Sequence, residues 1–216
     1  MAFKQLLAKP TVYRLARQLA TGGLPLRRWA DLCGLGDSAL RVADLGCGPC
    51  DILDYLPGGT RPAFYLGVDV SGVYLAAARD RAARVGVPAE FQVMDLARLP
   101  EDAGLQRALV EVLEARRISR VLLLGVLHHI DDRSAVATLE TVRRAATVDS
   151  VVTVDAVHLP GRWINNWYCG LDRGQFVRGE SAYDDLVAAA GWPRREKYWT
   201  TPGLRFIKYL HYILRK

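Results

Sequence analysis

The stretch Val42-Ala-Asp44-Leu-Gly46-Cys47-Gly48 decides the fold of this chain. A short apolar run ends there in an aspartate and a glycine-rich turn, as at the end of a buried strand in an open parallel sheet. Gly46 and Gly48 carry no Cβ, so the backbone can bend sharply and come close to a ligand. We expect a helix to begin at Asp51 and to direct its free N–H groups at the same place. The stretch therefore predicts a ligand-binding turn.

From Arg41 onward, strands and helices alternate along the chain. The predicted strands are short and apolar, and the long helix after the second strand has Ser71 as its cap. Strands separated by helices of this length build a parallel sheet with helices on both faces. Strands are predicted at 42–45, 64–70, 91–94, 118–124 and 151–154, and helices at 51–56, 73–84, 105–117 and 135–146.

The last third of the chain has a different pattern. A helix is predicted at 181–190, and two strands at 195–200 and 205–214 are joined by a turn around Pro202-Gly203. Two such strands are typical of an antiparallel hairpin at one edge of a sheet. The predicted fold class is α/β, with a seven-stranded, mostly parallel sheet, an antiparallel edge hairpin and an N-terminal helical cap.

The length and composition favour one domain. With 216 residues, of which 50% are hydrophobic, the chain can bury a full core. No internal repeat or low-complexity linker divides it. We expect a single domain over 1–216, with a helical cap over 1–37, a ligand-binding core over 38–157, and a substrate-side segment with edge strands over 158–216. Within the cap, a short helix is expected to follow Pro25 and to end near Gly34.

The charge and the cysteine content limit the function classes. The net charge is +6 and the pI is about 9.3, but no run of five or more Lys or Arg residues signals a nucleic-acid arm. No apolar run reaches the ~20 residues of a membrane span, and the N-terminus lacks the apolar stretch of a secretory signal. Four cysteines are too few for a disulfide scaffold, so we expect a cytoplasmic protein.

Acidic residues also end the second and third predicted strands. Asp69 follows Gly48 by 21 residues, and a carboxylate there can accept hydrogen bonds from both hydroxyls of a ribose. Asp95 ends the third strand. Three acidic strand ends around a glycine turn suit an adenosine-bearing, cationic ligand. NAD fits poorly because Asp51 stands where its fingerprint needs a third glycine or alanine, and a Walker-type phosphate loop is absent.

Four motifs stand in order at the strand ends: residues 42–52, Gly67-Val-Asp69-Val-Ser71, Asp95-Leu96, and Leu124 to Asp131. Over roughly residues 40–157 the chain thereby resembles the class I S-adenosylmethionine-dependent methyltransferases. The tail, with Leu171-Asp-Arg-Gly174 and Val177-Arg178, resembles one loosely characterised subgroup of that family. The resemblance implies a Rossmann-like methyltransferase fold, S-adenosyl-L-methionine as cofactor, and methylation of a small molecule in biosynthesis.

The resemblance also implies roles for individual residues. Gly46 to Gly48 would lie along the methionine part of the cofactor. The other expected residues would bind the amino group, the ribose and the adenine of the cofactor, or line the floor of the site between cofactor and substrate. The expected cofactor-binding residues are Asp44, Gly46, Cys47, Gly48, Asp69, Val70, Asp95, Leu96 and Gly125. The family usually has a glycine where Cys50 stands, so a positive φ there would cost of order 1 kcal/mol.

The tetrapeptide Cys47-Gly-Pro-Cys50 permits two other interpretations. It is the redox signature of thioredoxins, and a cysteine at a helix N-terminus can be activated. However, Asp44-Leu-Gly precedes it here instead of the usual tryptophan. A zinc site would need two further ligands at suitable spacing, and the sequence offers no second Cys-x-x-Cys or His-x₃-His. We expect no metal.

On the acceptor side, His128 and His129 follow the fourth strand and are the candidate catalytic residues, because histidine titrates near neutral pH. Either could equally pack under the cofactor or cap the next helix. Aromatic and arginine side chains are the candidate substrate contacts, with Arg173 and Arg178 suited to an anionic group. The candidate substrate-binding residues are Tyr13, Trp163, Trp167 and Arg173.

The expected function is methyl transfer from S-adenosylmethionine to a small organic acceptor, anionic or hydrophobic in character. Two alternatives stay open. The basic pI is compatible with an RNA methyltransferase, although the Asn/Asp-Pro-Pro-Tyr motif of many adenine methylators is absent. The second is a protein that binds S-adenosylmethionine but catalyses a reaction other than methylation. We expect no stable nucleic-acid partner and no transmembrane segment.

Overall fold

The computed structural model describes residues 26–171, 174–201 and 207–216. Helices and strands alternate over most of these ranges. In chain order they are α1 Leu26–Leu32, β1 Arg41–Leu45, β2 Phe64–Asp69, α2 Gly72–Val85, β3 Ala89–Val93, α3 Ala103–Ala115, β4 Arg120–Leu124, α4 Asp132–Arg144, β5 Ser150–His158, α5 Trp163–Leu171, β6 Arg178–Gly179, α6 Glu180–Ala189, β7 Arg194–Thr200 and β8 Tyr209–Arg215.

The strands form one mixed sheet in the order β3-β2-β1-β4-β5-β8-β7. The pairs from β3 to β5 are parallel, whereas β8 pairs antiparallel with both β5 and β7. This confirms the predicted α/β sheet with its antiparallel edge, and adds the two-residue strand β6 beside β5. The strand order reverses between β1 and β4, and ligands of open α/β sheets bind at such a switch point, beyond the carboxyl ends of the strands.

Apolar side chains cover both faces of the sheet. One cluster lies under α3, α4 and α6, with Leu109, Leu139 and Leu186 among its members. The other lies under α1, α2 and α5, with Trp29 and Ala78 among its members. Strands buried on both faces are near-continuous apolar runs, so a carboxylate within one of them needs a specific explanation.

Several helix starts carry the capping side chains that the backbone requires. Ser71 accepts a hydrogen bond from the N–H of Tyr74 at 3.3 Å, as the sequence predicts. Asp102 and Asp131 cap α3 and α4 in the same way. These caps satisfy N–H groups that have no partner within the helix, and they fix where each helix leaves the sheet edge.

One prediction of local structure is wrong, and one helix is not predicted. The segment after the glycine turn is a five-residue 3-10 turn, Asp51–Tyr55, and not an α-helix. Pro57 ends it, because proline has no N–H and holds the preceding Leu56 at an extended ψ of 136°. Residues 163–171, for which the sequence analysis predicts no element, form the helix α5. The helix predicted after Pro25 is present as α1, and the turn at Pro202-Gly203 lies outside the described residues.

No helix in the described ranges is both long and apolar enough to cross a lipid bilayer.

Candidate active site

The glycine turn after β1 is built by backbone freedom and close packing. Gly46 and Gly48 have φ values of 75° and 54°, which favour glycine. A Cβ on Gly46 would lie 2.6 Å from Val126 Cγ2, so the turn packs directly on the loop that follows β4. A Cβ on Gly48 would meet no heavy atom of the described chain within 4 Å. Gly46 therefore joins two loops, and Gly48 faces open space.

The carboxylate of Asp69 is held at the end of β2 by two backbone groups. Its Oδ2 accepts a hydrogen bond from the N–H of Gly48 and its Oδ1 one from Ser71, both at 2.8 Å. Each carboxylate oxygen has a further lone pair that a ribose hydroxyl can use. Val70 beside it is 64% exposed, which leaves an apolar surface for a planar base. The structure brings these predicted cofactor residues together.

Asp44 is buried, although it carries a carboxylate. Its Oδ2 accepts a hydrogen bond from the Tyr65 hydroxyl, while its Oδ1 has no hydrogen-bond partner among the described residues. Burial raises the pKa of Asp44 to about 7; the Tyr65 hydrogen bond opposes this shift, and the nearby Asp69 charge adds to it. An unsatisfied buried carboxylate oxygen is costly, so the site favours a ligand that brings a positive donor to it.

The two cysteines of the turn form no disulfide. A hydrogen bond to Cys50 and burial both raise the pKa of the Cys47 thiol, the opposite of what a redox-active thiolate needs. Cys50 has φ 55° and ψ 42°, so it occupies the left-handed conformation that suits the glycine usual in the family. Within the described residues, no group of three His, Cys, Asp or Glu side chains could hold a metal ion.

The predicted residues at the next two strand ends also line this edge. Asp95 follows β3 and accepts a hydrogen bond from the N–H of Ala97 at 3.0 Å, with Leu96 buried beside it. Gly125 directly follows β4 with φ 77°, and its N–H donates to the carbonyl of Val154 at 2.6 Å. The four strand ends that the sequence singles out therefore lie along one edge of the sheet.

His128 is buried beside a carboxylate that sequence reasoning missed. Its Nδ1 lies 2.8 Å from Oδ1 of Asp155, and its backbone N–H donates to the same oxygen at 3.2 Å. The ring of His129, which is exposed, lies 4.3 Å from the His128 ring between centroids. The available signal was an aspartate within the otherwise apolar run of β5.

Arg178 is not available to a substrate, contrary to the prediction. Its Nε lies 2.6 Å from Asp132 Oδ1, and its Nη atoms donate to the carbonyls of Leu127, Ile130 and Phe176 at 2.6, 2.8 and 3.0 Å. The guanidinium is buried and clamps the loop that carries His128. The planar fork of five donors explains why arginine occupies this position.

Two of the predicted substrate residues, Trp163 and Trp167, lie on α5. Trp163 and Trp167 are one helical turn apart and are 76% and 62% exposed, while Tyr168 and Cys169 face the core. The described residues thus place the two indoles on an open helix face and not inside an enclosed cavity. Tyr13 and Arg173 lie outside the described residues.

A family model described as a methyltransferase domain matches residues 42–149. No curated protein sequence gives a significant match.

Three solved structures illustrate the likeness of fold. Magnesium protoporphyrin IX methyltransferase from Synechocystis PCC 6803, with bound SAH, gives a TM-score of 0.60 at 18% identity and covers 94% of this chain and 85% of that one. Mitomycin 7-O-methyltransferase gives 0.58 at 20%, covering 99% and 60%. Small RNA methyltransferase HEN1 gives 0.66 at 16%, covering 88% and 25%.

Proposed function

The chain belongs to the S-adenosylmethionine-dependent methyltransferases, and on that premise we propose that it methylates a small organic acceptor in a biosynthetic pathway. The described elements form one sheet, which supports treating residues 1–216 as a single domain. We assign the acceptor side to the loop after β4 and to the segment 159–179, whose described residues include the helix α5. A segment of this size offers a pocket to a small molecule more readily than a track to a polymer.

The site fits the cofactor on two observations. Asp44 Oδ1 lacks a partner within the described chain, and the cofactor's ammonium would supply one. The open space at Gly48 lets the methionine part approach the backbone. We assign Asp69 to the ribose hydroxyls, with Val70, Asp95 and Leu96 at the adenine. Gly46, Cys47 and Gly125 would complete the walls of this site.

When bound, S-adenosylmethionine supplies a methyl group activated by a sulfonium. The chain's own contribution is to align the acceptor nucleophile with that methyl and to exclude water. Among the predicted catalytic residues, we propose His128 as the proton acceptor, since Asp155 holds its ring in a fixed position. We propose that His129, whose ring lies against His128, shapes the same wall, and that Trp163 and Trp167 meet the apolar part of the acceptor.

The single observation that carries the proposal is the Oδ1 oxygen of Asp44, which is buried beside the glycine turn and has no hydrogen-bond partner among the described residues. Calorimetric titration with S-adenosylmethionine, S-adenosylhomocysteine and NAD tests the cofactor site. We expect binding of the first two and none of NAD. Release of S-adenosylhomocysteine in the presence of small aromatic acceptors then tests the acceptor class. Methylation of RNA with no release from any small acceptor would contradict the proposal.

A further inference from the structure

Arg81 of α2 lies nearly buried against the segment that follows the glycine turn. Its side chain is 11% exposed, whereas that of Arg84, one turn further along the same helix, is 63% exposed. The guanidinium of Arg81 reaches three acceptors: Nη1 donates to the carbonyl of Pro49, Nη2 lies 2.8 Å from Oδ1 of Asp51, and Nε lies 3.0 Å from Oδ2 of Asp54. Each nitrogen of the fork is thereby used on one short stretch of the chain.

That stretch has little regular structure to hold it. Cys50 has φ 55° and ψ 42°, a left-handed conformation that favours glycine and is strained for a cysteine. The 3-10 turn after it, Asp51–Tyr55, is five residues long, and among the described residues no side-chain hydrogen bond caps it at Cys50. Hydrogen bonds in such turns have poorer geometry than those of an α-helix. The guanidinium of Arg81 therefore supplies contacts that the local backbone lacks.

We infer that Arg81 is a positioning residue that sets the glycine turn in its place beside Asp69, an inference that rests on the cofactor site proposed above. Asp69 Oδ2 accepts a hydrogen bond from the N–H of Gly48, and Asp69 Oδ1 accepts one from Ser71, which caps α2. Arg81, in the third turn of α2, binds the carbonyl of Pro49, next to Gly48. The turn, the carboxylate and the helix thus form a closed ring of contacts, and loss of Arg81 would open this ring at the turn.

The charge of Arg81 matters for the ligand as well. Asp51 and Asp54 follow Gly48 within six residues, so two carboxylates stand close behind the turn. The methionine part of S-adenosylmethionine carries a carboxylate, which these charges would repel if they were unbalanced. The guanidinium of Arg81 lies 2.8 Å from one carboxylate and 3.0 Å from the other, and it balances one of the two charges. Arg81→Lys would keep the charge but lose the fork, so it separates the two contributions.

The place of the turn can be measured without a ligand. In ¹⁵N-labelled protein, amide hydrogen exchange compares Gly48 with Ser71, whose N–H groups bind the two oxygens of Asp69 at the same distance of 2.8 Å. In Arg81→Ala we expect the Gly48 amide to exchange about tenfold faster or more, with little change at Ser71, because the turn and not the start of α2 loses a support. Arg84→Ala, which removes an exposed ion pair of the same helix, is the matched control and should change neither rate. An unchanged Gly48 amide, or an equal rise at both amides, would overturn the inference.

Calorimetric titration with S-adenosylmethionine then tests the effect on binding, at a temperature where thermal unfolding shows each variant to be folded. We expect the Kd to rise about tenfold or more in Arg81→Ala, to take an intermediate value in Arg81→Lys, and to be unchanged in Arg84→Ala. Wild-type affinity in Arg81→Ala, or an equal loss in both alanine variants, would contradict the positioning role. If Arg81→Ala does not fold, Arg81→Lys is compared with Arg84→Lys in both measurements. A wild type that binds no S-adenosylmethionine refutes the proposed function, and the exchange rate of Gly48 still decides whether Arg81 holds the turn.

Discussion

The carboxylate of Asp69 accepts a hydrogen bond from the backbone N–H of Gly48, with 2.8 Å between Oδ2 and the nitrogen. Asp69 ends β2, Gly48 lies in the turn after the neighbouring parallel strand β1, and the two residues are 21 positions apart in the chain. This bond fixes the distance between the turn that would follow the methionine part of the cofactor and the carboxylate that would hold its ribose. In the proposed cofactor site, these two groups are therefore held together by the chain itself.

Asp69→Ala should weaken S-adenosylmethionine binding by about 10- to 100-fold. The substitution removes an acceptor from the N–H groups of Gly48 and Ser71 as well as from the ribose, and a lost hydrogen bond to a charged group is worth about 1.5–3 kcal/mol. Calorimetry measures the affinity. Asp80→Ala, an exposed carboxylate of α2, should bind as the wild type does. Equal affinity in Asp69→Ala would remove Asp69 from the cofactor site.

Cofactor affinity should fall on the acid side of neutrality, because Asp44 has a pKa of about 7 in the free protein. Only the ionised carboxylate attracts an ammonium, so the affinity should drop about tenfold for each pH unit below that value. Above pH ~8 the ligand's own α-amino group begins to lose its proton, which produces a second decline. In Asp44→Asn the acid decline should disappear; its persistence there would assign the titration to another group.

The same pKa has a consequence for folding. Because the folded-state pKa of Asp44 lies above the ordinary aspartate value of 3.8, the folded protein retains a proton that the unfolded chain has lost. The carboxyl therefore destabilises the fold increasingly between pH ~4 and ~7, and fully above that range. Thermal unfolding should show Asp44→Asn gaining stability relative to the wild type as the pH rises from 5 to 8. A constant difference across this range would contradict the raised pKa.

Gly46→Ala and Gly48→Ala should separate stability from binding. Both place a side chain at positive φ, which costs of order 1 kcal/mol. The Cβ of the first would also fall 2.6 Å from Val126 Cγ2, so we expect the larger loss of unfolding free energy there. The second Cβ enters the space assigned to the cofactor. We expect Gly48→Ala to be the more stable of the two, with clearly weakened S-adenosylmethionine binding; the reverse order in melting temperature would refute this packing.

Arg178→Lys should destabilise the protein by about 2–4 kcal/mol, since a lysine cannot replace the donors that reach Leu127, Ile130 and Phe176. Chemical denaturation measures this loss. Arg133→Lys, at an exposed pair with Glu101, should change the unfolding free energy by less than about 1 kcal/mol. If Arg178→Lys proved as stable as the wild type and merely raised KM for an anionic acceptor, the original sequence-based assignment of Arg178 to the substrate would be correct.

The alternation of strands and helices and the glycine turn were enough to predict the parallel core, because each signal is local. The helix α5 was missed because tertiary contacts fix it. Asn165 donates to the carbonyl of Val157 at 2.6 Å, and Asn166 pairs with both backbone groups of Leu159. Asparagine and glycine have low helix propensities, and the contacts with Val157 and Leu159 stabilise the helix against them.

The candidate site residues that follow directly from their position at a strand end could be predicted from the sequence. The contacts between residues from distant segments could not. Asp44 and Asp69 each follow from their position in a strand. The pairing of His128 with Asp155 spans 27 residues, and the contact of Arg178 with Leu127 spans 51. The sequence pattern favoured a substrate contact for Arg178, because no local sequence motif marks an arginine that donates to backbone carbonyls.

The exposed tryptophans of α5 allow acceptor binding to be followed by intrinsic fluorescence. Trp163 and Trp167 are open to water, whereas Trp29 and Trp192 are buried. Indoles in water emit at longer wavelengths than indoles in an apolar environment, so the exposed and the buried indoles differ in emission, and the half-buried Trp199 lies between them. An acceptor that covers the α5 face would shift the long-wavelength emission to the blue, and candidate acceptors could be ranked by this shift without any label.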